Sequence, residues 1–369
     1  MTDKPTRVWR IVHSESSTGW GGQEHRVMAE LNGFQRRGSR VWLIAPAGSL
    51  IFRRASESNV DALPLRPGRW WFPVEMVRIA RWLKKQRVDV VNTHSSRDGW
   101  LVGLASRLAR VPLVLRTRHI DVSYPNRWLS RHAFTTLTDH VLTTSRKITT
   151  HFQEMFGLPD ERISTVPTGI DLNRFSPAGP KADLSDGHAL PVIGMISVLR
   201  SWKGHSIFLQ AADLLRSNGF NGRFVIVGEG PIRALIEDEI RELRLENRVT
   251  LIGHREDVPE ILRALGVLVI ASTRHEGVPQ IGLQALATKT PVVGSDVGGT
   301  PEIIRPGETG RLFPSGDAKA LAHVIRQTLD EPEATRALCE RGRAMVEARH
   351  GLDGMIETLD ALYQRYLSA

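Results

Sequence analysis

Residues 266–295, GVLVIASTRHEGVPQIGLQALATKTPVVGS, spell out one complete unit of a fold. VLVIA is apolar at every position, so both faces of that strand need cover, which is the mark of a strand inside a parallel sheet. A polar loop follows, then a short helical segment from Pro279, then a second strand at PVVGS. The same stretch carries chemistry. Glu276 stands in the loop ahead of the helix and Gln284 eight positions later. Pro279 suits a first helical position, where its missing N–H costs nothing. The N–H groups of Gln280, Ile281 and Gly282 would then lack helical partners and form an anion-binding end. Gly277 and Gly282 would let a ligand approach the backbone. Gln284 lies one turn beyond Gln280 on the same face. On spacing alone, a solvated loop acid and an ordinary polar helix residue remain the competing explanation.

The pattern extends outward. PVIGMISVL (191–199), RFVIVGEG (223–230) and RVTLIGH (248–254) are further strands, each followed by a helical stretch. In the first half RVWRIVH (7–13), RVWLIA (40–45), VDVVNTH (88–94), VPLVLRTRH (111–119) and HVLTTS (140–145) read as strands. A helix is expected over 22–37, where Val27, Met28, Leu31 and Phe34 recur at helical spacing. Residues 176–191, rich in Pro, Gly and Asp, form a linker. The expected architecture is α/β: two doubly wound Rossmann-like domains facing a central cleft, 1–178 and 190–350. A C-terminal helix at 351–369 is expected to pack back toward the first domain. Ligands in such sheets sit at the carboxyl ends of the strands.

Composition narrows the function. The single cysteine, Cys339, excludes a disulfide framework and a cysteine-based metal cluster. No apolar run approaches the roughly 20 residues needed to cross a bilayer, so the chain is expected to be cytoplasmic. Residues 1–180 hold 27 Lys and Arg against 15 Asp and Glu, a net of +12; residues 181–369 hold 22 against 25, a net of −3. The basic first half points to an anionic partner surface. Nucleic acid is disfavoured, since no helix-turn-helix, zinc finger or aromatic-interleaved strand pair is present. An anionic membrane surface is the alternative: RPGRWWFPVEMVRIARWLKKQR (66–87) combines three Trp with a basic helical stretch carrying Met76, Ile79, Ala80 and Leu83 at helical spacing. An ordinary covering helix with a solvated basic face explains the same residues.

Three more stretches are candidates. In SVLRSWKGHS (197–206) Arg200 and Lys203 follow a strand and precede a helix, where a guanidinium and an ammonium suit a diphosphate; two solvated loop cations are the competing explanation. TGWGGQEHR (18–26) is a glycine-rich loop opening a helix, but lacks both the G-x-G-x-x-G spacing and a P-loop lysine. His94 and His119 end strands, on the ligand side of the sheet, with Asp121 two residues beyond His119; a core or surface role explains either histidine singly as well. No spacing suggests a metal site.

In this order the motifs resemble a retaining glycosyltransferase of family 4, with GT-B architecture, over nearly the whole chain. The strongest part is RSWKG, VIVGEGP, LIGHREDVPEIL, EGVPQIGLQALATKTPVVGSDVGGTPEII and GETGRLF. GGQEHR, RTRHID, TTSRKITTHF and VPTGIDLNRF are weaker matches. The resemblance implies that Glu276 contacts hydroxyls of the donor sugar and that position 284 binds the nucleotide ribose. It implies that Arg200 and Lys203 bind the donor diphosphate and that Gly21 and Gly22 lie near donor phosphate and sugar. His119 would stand near the reaction centre, and Gly253 and His254 would hold the nucleobase. The sequence departs from the pattern twice. Position 284 is Gln rather than Glu; a neutral amide still binds ribose hydroxyls, without charge assistance. The arginine often found five residues before the lysine is Val198 here, leaving Arg200 to take its place. The implied activity is transfer of a sugar from a nucleoside-diphosphate donor to a glycan or lipid-linked acceptor, in cell-surface polysaccharide or lipopolysaccharide synthesis. It implies no metal and no cofactor, and the enzyme would be cytoplasmic or peripheral on the inner face of the plasma membrane. The alternatives are a nucleotide-sugar epimerase of the same architecture and a catalytically impaired nucleotide-sugar-binding protein.

Overall fold

The computed structural model describes residues 7–66, 68, 71–120, 127–184 and 190–368. The chain divides into two units: Met1–Gly169 with Leu352–Ala369, and Ile170–Gly351.

The first unit alternates strand and helix: β1 (Arg10–Ser14), α1 (Gly22–Arg36), β2 (Arg40–Ala45), α2 (Leu50–Glu57), β3 (Asp61–Pro64), α3 (Phe72–Gln86), β4 (Val90–Thr93), α4 (Ser96–Ala109), β5 (Leu113–Arg118), α5 (Arg127–Thr135), β6 (His140–Thr143), α6 (Arg146–Phe156) and β7 (Ile163–Thr165). The strands form one parallel sheet in the order β3-β2-β1-β4-β5-β6-β7. The order reverses between β1 and β4, and ligands of doubly wound sheets bind beyond the carboxyl ends of such a strand pair.

The second unit repeats the scheme with β8 (Val192–Ile196), α7 (His205–Ser217), β9 (Arg223–Val227), α8 (Arg233–Glu242), β10 (Val249–Leu251), α9 (Val258–Ala264), β11 (Val267–Ile270), α10 (Gln280–Ala287), β12 (Val292–Ser295), α11 (Thr300–Ile303), β13 (Arg311–Phe313), α12 (Ala318–Asp330) and α13 (Pro332–Arg349). Its parallel sheet runs β10-β9-β8-β11-β12-β13, with the reversal between β8 and β11. The all-apolar strands are buried on both faces as their composition requires: Val267, Leu268, Val269 and Ile270 are at most 5% exposed.

The last helix, α14 (Leu352–Leu367), belongs to the first unit. Met355, Ile356, Leu359 and Tyr363 join the core formed by Val27, Leu31 and Phe34 of α1, and Tyr363 stacks on Phe34 at 5.2 Å between centroids. Residues 170–178, assigned from sequence to the first domain, group with the second. Ile170 and Phe175 are buried there among Leu286, Ala287 and Val346. Residues 185–189 of the linker lie outside the described residues.

Helix α3 settles part of the reading of 66–87. Ile79, Ala80 and Leu83 are buried against Trp42, Val91 and Leu101, so the apolar stripe covers the sheet. Arg78 is drawn to Glu75 at 2.8 Å. The outward residues are Trp71 and Val74, 56% and 55% exposed, with Arg81, Lys84 and Lys85. Trp70 lies outside the described residues.

Candidate active site

In the second unit the loops leaving β8 and β11, the two strands at the reversal, are fastened together. The Thr273 N–H donates to the Trp202 carbonyl at 2.8 Å. The Lys203 Nζ donates to Glu276 Oε2 at 2.7 Å, and the Ser272 hydroxyl donates to the same oxygen. Glu276 is 8% exposed. A carboxylate this buried needs a cation and hydrogen bonds to offset its lost hydration. Lys203 and Ser272 supply them, and in doing so hold an acid and an ammonium at the ligand-binding end of the sheet.

Two glycines make the arrangement possible. Gly204 closes the turn after Lys203 with φ +79°, and a Cβ there would lie 1.9 Å from the Ala271 carbonyl oxygen. Gly298, φ +61°, sits under the acid's own backbone: a Cβ would fall 2.0 Å from the Glu276 carbonyl oxygen. His275 immediately before the acid is itself left-handed at φ 55°, a strained conformation held by its surroundings. A Gly298→Ala change is therefore expected to destabilise the second unit by about 2–4 kcal/mol, and to lower activity through displacement of Glu276. Chemical denaturation and initial rates check this together. An unchanged midpoint would contradict the close contact.

The other sequence candidates are placed as follows. Helix α10 starts at Gln280, with Pro279 as its cap rather than its first residue. The Gly282 N–H donates to the Pro279 carbonyl at 3.0 Å, so it is not an open donor as the spacing implied. Gly277 is buried; Ile281 and Gln284 are half-buried on α10. Arg200 is not joined to Glu276: its guanidinium lies over the Trp202 ring at 5.2 Å from the centroid, exposed. Gly253, φ +71°, accepts at its carbonyl from the Gly228 N–H at 2.8 Å, tying the loops after β9 and β10 together, and His254 is exposed. At the start of α7 His205 is held down to about 4, by burial and then by the Lys203 charge.

In the first unit, Gly21 precedes α1 and donates to Glu24 Oε2 at 2.8 Å, and Gly22 is its first residue. His119, 8% exposed, lies just past β5, and Asp121 falls outside the described residues. Sequence reasoning missed what surrounds them. Glu15 and Asp98 are both fully buried beyond β1 and at the start of α4. Asp98 accepts from the Ser14 hydroxyl at 2.8 Å and from the His94 and Ser95 N–H groups at 3.0 Å each. Glu15 accepts from the Ser17 N–H at 2.7 Å and from the Ser95 hydroxyl and the Gln23 amide. Burial, then the Asp98 charge, raises the Glu15 carboxyl to about 7. The only signal in the sequence was a polar run, HSES, closing an apolar strand.

Glu15 also supplies a test of sign. A carboxyl raised from 4.5 to about 7 favours the fold while protonated, and that contribution is lost as pH rises from about 4.5 through 7. Glu15→Gln is expected to stabilise the first unit at pH 8 by about 2–3 kcal/mol and to do little at pH 4.5. Melting curves of both proteins at the two pH values decide it; an equal effect at both would show that Glu15 is not so perturbed.

Among the described residues no group of three or more side chains could hold a metal ion, and no helix is long and apolar enough to cross a membrane.

Two doubly wound parallel sheets, each with its polar residues gathered at the point of reversal, define the GT-B class of glycosyltransferases. Solved structures agree on the fold. A glycosyltransferase from Rickettsia africae superposes over 98% of this chain and 99% of its own, with TM-score 0.87 at 20% identity. Anabaena HepE, solved in complex with UDP and glucose, covers 96% and 99%, with TM-score 0.82 at 20% identity. Residues 20–174 match the model described as Glycosyltransferase Family 4, and residues 183–345 that described as Glycosyl transferases group 1. The chain belongs to glycosyltransferase family 4 and is a sugar-transferring enzyme. It is 29% identical to the Escherichia coli UDP-Gal:alpha-D-GlcNAc-diphosphoundecaprenol alpha-1,3-galactosyltransferase, over 69% of this chain and 70% of that one. It is 25% identical to the alpha-D-kanosaminyltransferase of Streptomyces kanamyceticus, over 80% and 82%.

Proposed function

We propose that this glycosyltransferase takes a sugar from a nucleoside-diphosphate donor held by the second unit and passes it, with retention, to a glycan or lipid-linked acceptor. The first unit would bind the acceptor, in a step of cell-surface polysaccharide or lipopolysaccharide synthesis. The observation that carries the reading is the Lys203–Glu276 bridge at the β8–β11 reversal. It holds a cation for a diphosphate beside an acid for sugar hydroxyls. Lys203 exchanges Glu276 for the diphosphate when donor binds, and Glu276 turns to the sugar. Arg200, exposed over Trp202, adds a second positive charge, and the start of α10 at Gln280 and Ile281 faces the phosphates. Gln284 holds the ribose, and Gly253 and His254 the base.

The proposed reaction is a displacement on one face of the sugar. The anomeric C–O bond breaks and its electron pair leaves with the diphosphate, whose growing charge Lys203 and Arg200 stabilise. The acceptor hydroxyl attacks from the face the diphosphate leaves, and its proton passes to a departing phosphate oxygen. A lipid-linked acceptor accords with the printed activity of the Escherichia coli relative. It also accords with the outer edge of α3, where Trp71, Val74, Arg81, Lys84 and Lys85 suit the inner, anionic face of a membrane.

The test is turnover with a panel of nucleotide sugars, with and without a polyprenyl-diphosphate-linked saccharide in anionic vesicles. The expected result is release of nucleoside diphosphate only when acceptor is present, with the donor's anomeric configuration in the product by NMR. Release of an epimerised sugar without acceptor would replace this reading with an epimerase. Donor binding without turnover on any acceptor would replace it with a binding protein.

A further inference from the structure

Three buried histidines cross the first sheet in single file. His13 of β1, His94 beyond β4 and His119 beyond β5 come from three adjacent strands of the sheet. His13 Nδ1 lies 2.9 Å from His94 Nε2, and His94 Nδ1 lies 2.9 Å from His119 Nε2. Neighbouring rings are 5.1 Å apart between centroids at both steps. Their exposures are 0%, 1% and 8%. Burial lowers all three below the ordinary histidine range, and the nearby Arg26 charge acts in the same sense on each. Each ring is therefore neutral and carries one proton.

That proton count leaves only two arrangements. Each nitrogen–nitrogen contact needs one hydrogen. If His94 is protonated on Nε2, it donates to His13, and His119 must donate through its own Nε2. His13 then carries its proton on Nε2 and His119 has a bare Nδ1. If His94 is protonated on Nδ1, every bond reverses: His13 Nε2 is bare and His119 carries its proton on Nδ1. What faces the inner end decides between them. His13 Nε2 lies 3.8 Å from Glu30 Oε2, and both atoms are buried without a hydrogen bond. The other oxygen of Glu30 is held by Arg26 Nε at 2.7 Å. A carboxylate oxygen repels a nitrogen lone pair and attracts an N–H, so the first arrangement is favoured. The remaining neighbours are Arg118, beside His119 on β5, and Tyr363 of α14, whose buried hydroxyl stands near Glu30.

We propose that Glu30, His13 and His94 act as positioning residues that fix His119 as the Nε2–H tautomer, so that it presents an unprotonated Nδ1 as a hydrogen-bond acceptor for a substrate hydroxyl. The Nδ1 of His119 makes no hydrogen bond to any described residue. This deepens the glycosyl-transfer reading and rests on it for the identity of the ligand, but the tautomer itself does not depend on that reading. A site that must accept from a hydroxyl is disabled when the ring turns its N–H outward. The sign of this one nitrogen is set by a carboxylate three side chains away.

The experiment is a long-range proton–nitrogen correlation spectrum of the full-length enzyme with nitrogen-15 histidine. His119 is assigned by the signals lost in His119→Gln, and His13 by those lost in His13→Gln. The expected result is that both rings are Nε2–H tautomers near pH 7.5. A protonated Nδ1 on His119 overturns the proposal, whatever the enzyme turns over. In His94→Phe the chain is cut, and His119 is expected to give averaged tautomer signals with kcat lowered about ten-fold and the donor KM little changed. If that variant does not fold, Glu30→Leu is read instead: without the carboxylate the favoured arrangement loses its bias, and His119 signals should move toward the opposite tautomer. His119 signals unmoved in a folded variant would overturn the relay.

Discussion

Lys203→Ala is expected to lower kcat/KM by roughly 10²–10³-fold, the usual cost of removing a donor aimed at developing charge. It is also expected to destabilise the second unit by about 3 kcal/mol. The two effects have different origins. Stability falls because Glu276, 8% exposed, loses its cation and keeps only Ser272. Activity falls because the diphosphate loses a positive charge as it departs. Lys203→Arg separates them: a guanidinium can still pair with Glu276, restoring most of the stability, yet cannot reproduce a compact ammonium in the same turn. The measurements are denaturation midpoints and steady-state rates on the folded fraction. A Lys203→Ala enzyme that loses stability while keeping its rate would reduce the bridge to a structural one.

A second large effect is expected with acid. His140 and His205 are both held down to about 4, by burial and then by a neighbouring cation, Arg365 or Lys203. A histidine kept neutral in the fold but free to protonate near 6.5 when unfolded contributes stability above 6.5 that is lost as pH falls toward 4. A displacement from 6.5 to about 4 corresponds to about 3 kcal/mol for each. His140 belongs to the first unit and His205 to the second, so both units weaken. The first also contains the three-histidine file, which acts in the same direction, and Glu15, which opposes it. Between pH 7 and pH 5 each unit is expected to lose roughly 5 °C or more in melting midpoint. His205→Gln should flatten the dependence for the second unit only. Melting that is level across this range would mean that these rings reach water.

Much of this molecule was legible before its structure. Apolar strands alternating with helical stretches gave two doubly wound units, because a strand buried on both faces leaves no polar positions to confuse its reading. Three strands escaped: β3, β7 and β13 have 4, 3 and 3 residues, and DALP, IST and RLF lack the continuous apolar run that marked β11 and β12. The site was legible as a set of residues but not as a set of partners. Lys203 and Glu276 stand 73 positions apart, and nothing local says that the strands before them are neighbours. The contact of the Arg200 guanidinium with the Trp202 ring was not legible either, since nothing in the loop's sequence announces which neighbour a cation rests on. Pro279 fits both a first helical position and the cap before it; it takes the cap, and a tight bond from the Gly282 N–H to its carbonyl, three residues back, closes a donor that an ideal α-helical start would leave open. Glu15, His13 and Asp98 were invisible for another reason. Their meaning lies in a polar cluster assembled from β1, β4 and α4, and an isolated acid or histidine in sequence looks the same whether it faces water or a neighbour.

The most direct measurement is calorimetric titration of nucleoside diphosphates, uridine through guanosine, into wild type, Lys203→Ala and Arg200→Ala. The account predicts that one diphosphate binds the wild type and that Lys203→Ala weakens it by about ten-fold or more, the worth of a charge-assisted contact. The corresponding monophosphate should show little difference between the two proteins. Equal diphosphate affinity in wild type and Lys203→Ala would contradict the claim that the β8–β11 bridge is where the donor is held.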